Sequence, residues 1–427
     1  MAAPASEADV SSSERGLGVL ILVPGELGEK LSGPEIRAVR LGQALAVRHR
    51  VTLLAPGGGR DEYEGLAVAP LSRRRLVAEA RRGDVVLAST VPPFVLAAKR
   101  ALGVRCVSDQ YDPVEIELGT LASGADRARA TARAARRLQL RGSDLVLCGS
   151  ERQRDLLAAE AAEVAGASPP EIRIVPFGID APPSPAPGDL HPLRSRFRAI
   201  GPDDKVVLWW GSLWRWLDAE TAIRAVASLA PERPDVKLVF TAGRVPNDAA
   251  ARHSALAEAR ALAADLGVLD RSVFFLDEWV PFARRAEYLR DVDLGLTLHR
   301  DAEEASLAAR ARYMDYLWAS LPCVLGRGDE TADRFEGAGF ATLIEPGSPP
   351  AAAAAILAAL AADTLRDAEA SGRRLADELR WDRVAAPVLA ALDEWEAGAT
   401  RQPGAHRLRG TTAYYARRAV DRLLPSG

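Results

Sequence analysis

Asp293-Leu-Gly-Leu-Thr-Leu-His-Arg-Asp-Ala-Glu-Glu-Ala-Ser-Leu-Ala-Ala-Arg-Ala-Arg-Tyr-Met-Asp-Tyr-Leu-Trp-Ala-Ser-Leu-Pro-Cys-Val-Leu-Gly326 is the stretch whose reading decides the fold. Leu294 to Leu298 is an apolar run short enough for a buried strand. A polar loop with His299, Glu303 and Glu304 follows. A helical period comes next: Leu307, Met314, Leu317 and Trp318 share one face, with Arg310 and Arg312 beside it. Pro322 stops that helix and Cys323-Val324-Leu325 opens another strand. The pattern is strand–loop–helix–strand. In an open parallel sheet, ligands sit outside the carboxyl ends of the strands, among loops and helix N-termini. That rule places His299 and Glu304 on the floor of a ligand site.

The same alternation runs through the chain. Leu17 to Val23 reads as a strand, Gly33 to about His49 as a helix, and Val51 to Leu54 as the next strand, the β-α-β opening of a doubly wound fold. Strands at 84–89, 104–108, 144–148 and 172–176 continue it, with helices at 91–101 and 124–141 and a capped helix after Ser150. Residues 178–203 change character: Pro182, Pro183, Pro185 and Pro187 sit among glycine, serine and alanine, the composition of a linker. A second alternation follows, with strands at 206–210, 236–241, 273–276 and 342–345 and helices from about 217, at 248–266, at 284–289 and from 349 to 397. The expectation is α/β: a disordered tail over 1–15, one Rossmann-like domain over 16–180, a linker over 181–203, a second over 204–400, and a cleft between the two. An amphipathic helix within 401–427 is placed to cross back onto the first domain.

Composition bounds the function. The chain has 427 residues, about half of them hydrophobic (48%), so it can bury large cores. A net charge of -3 gives no support for a nucleic-acid partner. Cys106, Cys148 and Cys323 stand apart inside apolar runs, without zinc spacing or a disulfide framework, which fits a reducing cytoplasm. The first residues have no basic start and no apolar core, so they read as a tail and not as a signal peptide. Lysine is confined to Lys30, Lys99, Lys205 and Lys237 while arginine is abundant, so a lone arginine is weak evidence of a phosphate ligand.

Several residues carry candidate chemistry. Gly211-Ser212 ends a strand before a helix, where exposed N–H groups cradle phosphate, although a plain tight turn reads the same way. Arg215, Arg310 and Arg312 have the charge and the fork to meet a diphosphate. Two arginines at i and i+2 on one helix face different ways, so at most one of Arg310 and Arg312 is expected to touch the ligand. Glu304 and Asp315 can each accept two sugar hydroxyls, although a helix N-terminal charge at Glu304 and a solvated face at Asp315 read the same way. His299 reads equally as a satisfied buried histidine. Asp109 and Asp112 end a first-domain strand facing the cleft. Gly25 and Gly28 do not complete G-x-G-x-x-G, which disfavours a dinucleotide-dependent dehydrogenase. No metal cluster appears.

Gly33-Pro34-Glu35-Ile36-Arg37, Asp109 to Pro113, Val175-Pro176-Phe177-Gly178-Ile179-Asp180, Trp210 to Asp218, Trp279 to Phe282 with Arg285, and Asp315 to Pro322 occur in that order. In this order they resemble the bacterial GT-B glycosyltransferases of family 4 (group 1). The resemblance implies a nucleotide-diphosphate sugar bound by the second domain and a glycan, lipid-linked or small-molecule acceptor bound by the first. It implies transfer with retention of configuration and no bound cofactor or metal. It puts Gly28, Gly33 and Arg37 in the acceptor-side loop, Asp109, Asp112, Arg310 and Glu304 at the chemistry, and Gly211, Ser212, Arg215, His299, Arg312 and Asp315 around the donor. The chain departs from the family pattern. Asp315 stands where the second glutamate of a Glu-x7-Glu pair belongs, but Leu307 holds the place of the first, leaving Glu304 to substitute. The family's pyrophosphate lysine has no counterpart, leaving Arg215 and Arg310. Competing readings are a sugar-nucleotide epimerase and a catalytically silent partner subunit. Arg73-Arg74-Arg75, Arg81-Arg82 and the helix bearing Arg133, Arg136, Arg137 and Arg141 offer a basic face for peripheral contact with an anionic membrane.

Overall fold

A computed structural model describes residues 16–57, 60–112, 114–118, 124–166, 168–182, 190–241, 255–300 and 302–397. Two sheets organise them. The first is β3-β4-β2-β1-β5-β6-β7-β8: β1 (Gly18–Leu22), β2 (Arg50–Ala55), β3 (Glu62–Tyr63), β4 (Leu66–Pro70), β5 (Val85–Ala88), β6 (Arg105–Asp109), β7 (Leu145–Cys148) and β8 (Glu171–Ile174). All its pairs are parallel except β3 with β4. The second, wholly parallel, is β11-β10-β9-β12-β13-β14: β9 (Lys205–Trp209), β10 (Val236–Phe240), β11 (Val273–Phe275), β12 (Leu294–Thr297), β13 (Cys323–Gly326) and β14 (Ala341–Ile344). The central strands are buried along their whole length. Helices cover both faces of each sheet, which is why these strands read as unbroken apolar runs and not as alternation. Both sheets are doubly wound: strand order reverses beside β1 in the first and between β9 and β12 in the second.

The sequence pattern predicts no strand or helix over residues 56–83. They hold the β3–β4 hairpin edge and a helix, Arg73–Ala80, capped by the Ser72 hydroxyl. The helix read as continuous from the His299 loop to Pro322 is two helices, Ala302–Leu307 and Ala311–Trp318, because Arg310 adopts extended backbone as the cap of the second. Much of the helix expected at 248–266 lies outside the described residues, which contain Leu256–Asp265. The stretch read as linker includes a short helix, Pro192–Arg196, fastened by Asp291, which accepts from the Leu193 (2.8 Å) and Arg194 (3.2 Å) N–H groups.

The halves are tied where the chain crosses between them. Ile179 N–H donates to the Leu379 carbonyl (2.8 Å) and Trp381 N–H to the Ile179 carbonyl (3.1 Å). A Cβ at Gly178 would fall 2.6 Å from the Trp381 ring, so this crossing requires glycine. The segment that crosses back is Ala386–Glu396, through Arg48–Asp393 (2.5 Å), Arg173–Glu394 (3.2 Å) and Glu396 accepting from Gly16 N–H (3.0 Å). The later helix expected within 401–427 lies outside the described residues.

Candidate active site

The switch between β9 and β12 opens the second sheet at its carboxyl edge, and the side chains of the opening stretch gather there. Tyr316 anchors them. A Cβ at Gly295 would lie 2.9 Å from the Tyr316 ring, so the ring rests directly on β12. The Tyr316 hydroxyl accepts from Trp210 N–H (3.1 Å) and lies 3.1 and 3.0 Å from the Leu208 and Leu296 carbonyls. Helix Ala311–Trp318 is thereby fixed over the gap between β9 and β12. Its position turns Arg312 and Asp315 toward the Gly211-Ser212 turn. Gly211 has φ +78°, which favours glycine, and its N–H donates to the Thr241 hydroxyl (3.0 Å).

A cavity of about 540 Å³ lies between the two domains. Gly211, Ser212, Glu304, Arg310, Arg312 and Asp315 line its second-domain side, and Ser32, Gly33, Tyr111, Asp112 and Glu117 its first-domain side. Glu304 and Arg310 form a buried pair 2.5 Å apart, with Asp329 3.5 Å from Arg310 Nε. Burial opposes the Arg310 charge, yet Glu304, Tyr313 and Asp329 outweigh it and hold the guanidinium above its usual value. Arg312 is different. Its Nη2 donates to the Ser212 carbonyl (2.9 Å), its Nη1 is enclosed without a hydrogen-bond partner, and it has no ion pair among the described residues. Burial pulls its pKa down to about 10. Ser212 is also buried with its hydroxyl unpartnered. Among the described residues, this places an enclosed cation without a counter-ion beside a glycine turn and an unpartnered hydroxyl, an arrangement chemically able to take an anion.

Three carboxylates of the cavity, Asp315, Asp112 and Glu117, are shifted toward the protonated form. Burial pushes Asp315 up to about 6, with Arg285 next in the opposite sense and a hydrogen bond from Trp210 Nε1 (2.9 Å) also favouring the anion. Burial pushes Asp112 up to about 6, helped by Glu304 across the cleft. Burial and then Asp112 raise Glu117 well above an ordinary glutamate. Carboxyls crowded in low dielectric hold protons to higher pH.

The structure gathers Glu304, Arg310, Arg312, Asp315, Gly211, Ser212, Asp112 and Gly33 at one cavity and places other expected residues elsewhere. Arg37 and Asp109 do not face the cleft. They form a buried bidentate pair (2.6 and 2.8 Å), and Arg37 also donates to the Val175 (2.9 Å) and Pro176 (3.0 Å) carbonyls, so both are structural. Arg215 turns away to Glu258 (2.7 Å) because the stacked rings of Trp214 and Trp216, 5.4 Å apart, take the cavity side. His299 is fully buried against Gly326, off the cavity wall, and its Nε2 donates to the Arg327 carbonyl (2.9 Å). Gly28 is off the cleft wall and its carbonyl accepts from Tyr63 (2.8 Å). Arg310 and Arg312 both line the cavity, because the helix begins after Arg310 and the two are not i and i+2 on one helix. On the helix of the basic face the arginines are engaged: Glu115 pairs with Arg133 (2.5 Å) and Arg136 (2.8 Å), Glu163 with Arg137 (3.2 Å), and the Val164 carbonyl accepts from Arg141 (2.8 Å). Among the described residues, no helix is long and apolar enough to cross a membrane, and no group of three His, Cys, Asp or Glu is placed to hold a metal. Trp210 and Glu117 were missed as site residues. Glu117 had a signal in its position five residues after Asp112, on the same side of the cleft.

Two parallel, doubly wound sheets facing across such a cleft are the architecture of the GT-B glycosyltransferases. Residues 31–182 match the family model Glycosyltransferase Family 4. D-inositol 3-phosphate glycosyltransferase of Acidothermus cellulolyticus is 33% identical over 117 residues, 27% of this chain and 26% of that protein, so the match spans about a quarter of the relative's length. Among solved structures, sucrose-phosphate synthase of Thermosynechococcus elongatus superposes with a TM-score of 0.68 at 17% identity, covering 90% of this chain and 100% of that one. HepE of Anabaena, solved in complex with UDP and glucose, superposes with a TM-score of 0.65 at 17% identity, covering 88% and 99%.

Proposed function

We propose that the protein is a retaining glycosyltransferase that moves a sugar from a nucleotide-diphosphate donor to an acceptor hydroxyl. The observation that carries this reading is Arg312, an enclosed cation that has no ion-pair partner among the described residues, beside the Gly211-Ser212 turn. A diphosphate is the anion whose size and charge suit that place, and UDP occupies the similar fold of HepE. Asp315 accepts the ribose hydroxyls in this reading. Glu304, held by Arg310, takes a hydroxyl of the donor sugar.

In the reaction the bond between the anomeric carbon and the diphosphate oxygen breaks. A bond from the acceptor oxygen forms on the same face, and the acceptor proton passes to the departing diphosphate. Arg312 and Arg310, with the buried Ser212 hydroxyl, stabilise the charge that gathers on the leaving group, the electrostatic mode of catalysis. Closure of the two domains keeps water from intercepting the donor. The acceptor, a hydroxyl of a glycan, lipid-linked or small molecule, enters past Ser32, Asp112 and Glu117 on the first-domain wall.

The test is a thermal-shift panel of UDP-, GDP-, dTDP- and ADP-sugars, followed by transfer assays with whichever series binds. A ligand of the native state raises the melting temperature by mass action, about 2.7 kcal/mol at a hundred times Kd. A shift confined to one nucleotide series, with a product of retained anomeric configuration, is the expected result. No shift with any series sinks the donor site and moves the reading to a catalytically silent subunit, which the Leu307 substitution would then explain.

A further inference from the structure

Arg285 has no part in the chemistry above, yet it lines the cavity and its guanidinium faces two carboxylates, two aromatic rings and a backbone carbonyl. It is 7% exposed. Its guanidinium lies 3.6 Å from the Phe282 ring centroid and 4.0 Å from that of Trp318, so it has no room to swing away. Nη2 donates to Asp180 (2.5 Å) and Nη1 to the Phe282 carbonyl (3.1 Å). Nε lies 3.3 Å from Asp315 Oδ1 but is buried without a hydrogen bond. Asp180 is also gripped by Arg40, through Nε (2.6 Å) and Nη2 (3.2 Å), and Arg40 belongs to the first domain's helix Gly33–Ala46. Asp315 accepts from Trp210 on the cleft floor. The line Arg40–Asp180–Arg285–Asp315–Trp210 therefore runs from one domain, through the connecting segment, to the cavity. Two neighbouring contacts follow the same crossing: Phe282 N–H donates to the Glu29 carbonyl (3.0 Å), and Trp318 Nε1 to the Ala181 carbonyl (2.7 Å).

We propose that Arg285 is a positioning residue that couples occupancy of the cleft at Asp315 to the connection between the domains at Asp180. This rests on the reading of the cleft as a donor site. The physical reason is charge apportionment. One buried cation faces two carboxylates and satisfies them unequally. A ligand hydroxyl that draws on Asp315 frees Arg285 to bind Asp180 more fully. Loss of the Asp180 charge leaves Asp315 as the one carboxylate the confined guanidinium faces, so Nε, already 3.3 Å from Asp315 Oδ1, competes with the ligand from where it stands. The aromatic sandwich confines the guanidinium, so the change passes to its partners instead of dissipating in a side-chain swing.

The experiment uses Asp180→Asn and Arg285→Lys, singly and together, in the full chain. Asp180 is off the cavity wall, so its effect on the cavity must travel through a neighbour. In the free protein, amide exchange at Trp210–Ser212 and Arg312–Tyr316 is expected to change by about 3- to 30-fold in Asp180→Asn, and not to change further when Arg285→Lys is already present. The UDP dissociation constant from calorimetry is expected to rise by a similar factor in Asp180→Asn. Unchanged exchange at both segments, or a uniform rise across the whole chain, overturns the coupling and leaves Arg285 a structural clamp. If UDP, GDP, dTDP and ADP all fail to bind the parent protein, the donor reading falls, and the exchange data still decide whether the two carboxylates are coupled.

Discussion

Arg37 and Arg312 are both withdrawn from bulk water, one in each domain, and they are prepared for opposite ends. Arg37 has Asp109 in bidentate contact and two backbone carbonyls besides, so four of its five N–H donors are taken up, and the pair is sealed beneath Tyr111, whose ring lies 4.4 Å from the guanidinium. Arg312 has one carbonyl, an unpartnered Nη1 and no carboxylate. Desolvation disfavours both charges. In Arg37 a counter-ion offsets that cost inside the fold; in Arg312 it stands open to be offset by a ligand. Arg310 lies between these cases, paired with Glu304 yet on the cavity wall. The difference teaches that burial of an arginine does not mark a site. Burial with unmet hydrogen-bonding capacity beside a cavity does.

The comparison is broken most sharply by removing each guanidinium. Arg37→Met leaves Asp109 buried and unpaired, so it should cost about 3–5 kcal/mol of stability in denaturant titration. A loss under 1 kcal/mol would show that the pair is not structural. Arg312→Met should leave the denaturation midpoint at or above that of the parent, because a desolvated charge is removed. Turnover with the donor found by the panel should fall by about 10²–10³, as for loss of one transition-state donor. A tenfold or smaller loss would take Arg312 out of the chemistry.

A milder effect concerns pH. Asp112, Asp315 and Asp329 have folded pKa values of about 6 against 3.8 for an ordinary aspartate. Between about pH 4 and 6 the folded chain then binds more protons than the unfolded one, so these groups make stability fall as pH rises through that window. Asp315→Asn should flatten the slope by at most about 1.4 kcal/mol per pH unit. An unchanged slope between the two proteins in melts at pH 4, 5 and 6 would contradict the burial of Asp315. The smallest effect is expected at Arg215, whose partner is Glu258. Arg215→Ala should change the donor KM by less than about threefold, in keeping with the low worth of an exposed ion pair. A change of tenfold or more would restore Arg215 to the donor site.

Much of the fold was legible in the residues. Buried parallel strands announce themselves as short runs of valine, leucine and isoleucine, as at Val85–Ala88 and Leu294–Thr297, and Pro322 and Gly103 punctuate the helices between them. The first sheet's edge was harder to read. Leu66–Pro70 carries Ala67 and Ala69, weak strand formers, and is a strand because it pairs in register with Thr52–Ala55. The site was legible as a location and less so as a set of roles. Glycine at 211 and the loop after β12 follow from strand–turn–helix logic. The break of the helix at Arg310 does not, because Ala308-Ala309-Arg310-Ala311 has high helix propensity and only the Glu304 and Asp329 contacts draw Arg310 out of it.

By itself the sequence determined the alternation of elements, the glycine turns and the pool of charged residues near the cleft. These depend on local propensity and hydrophobic period, which act over a few residues. Tertiary structure decided which arginine found a carboxylate. Arg37 meets Asp109 across 72 positions, Arg285 meets Asp180 across 105, and Arg312 meets no carboxylate among the described residues. Pairing of charges is settled by distance in space and by the local dielectric. Neither is written in the spacing of residues along the chain.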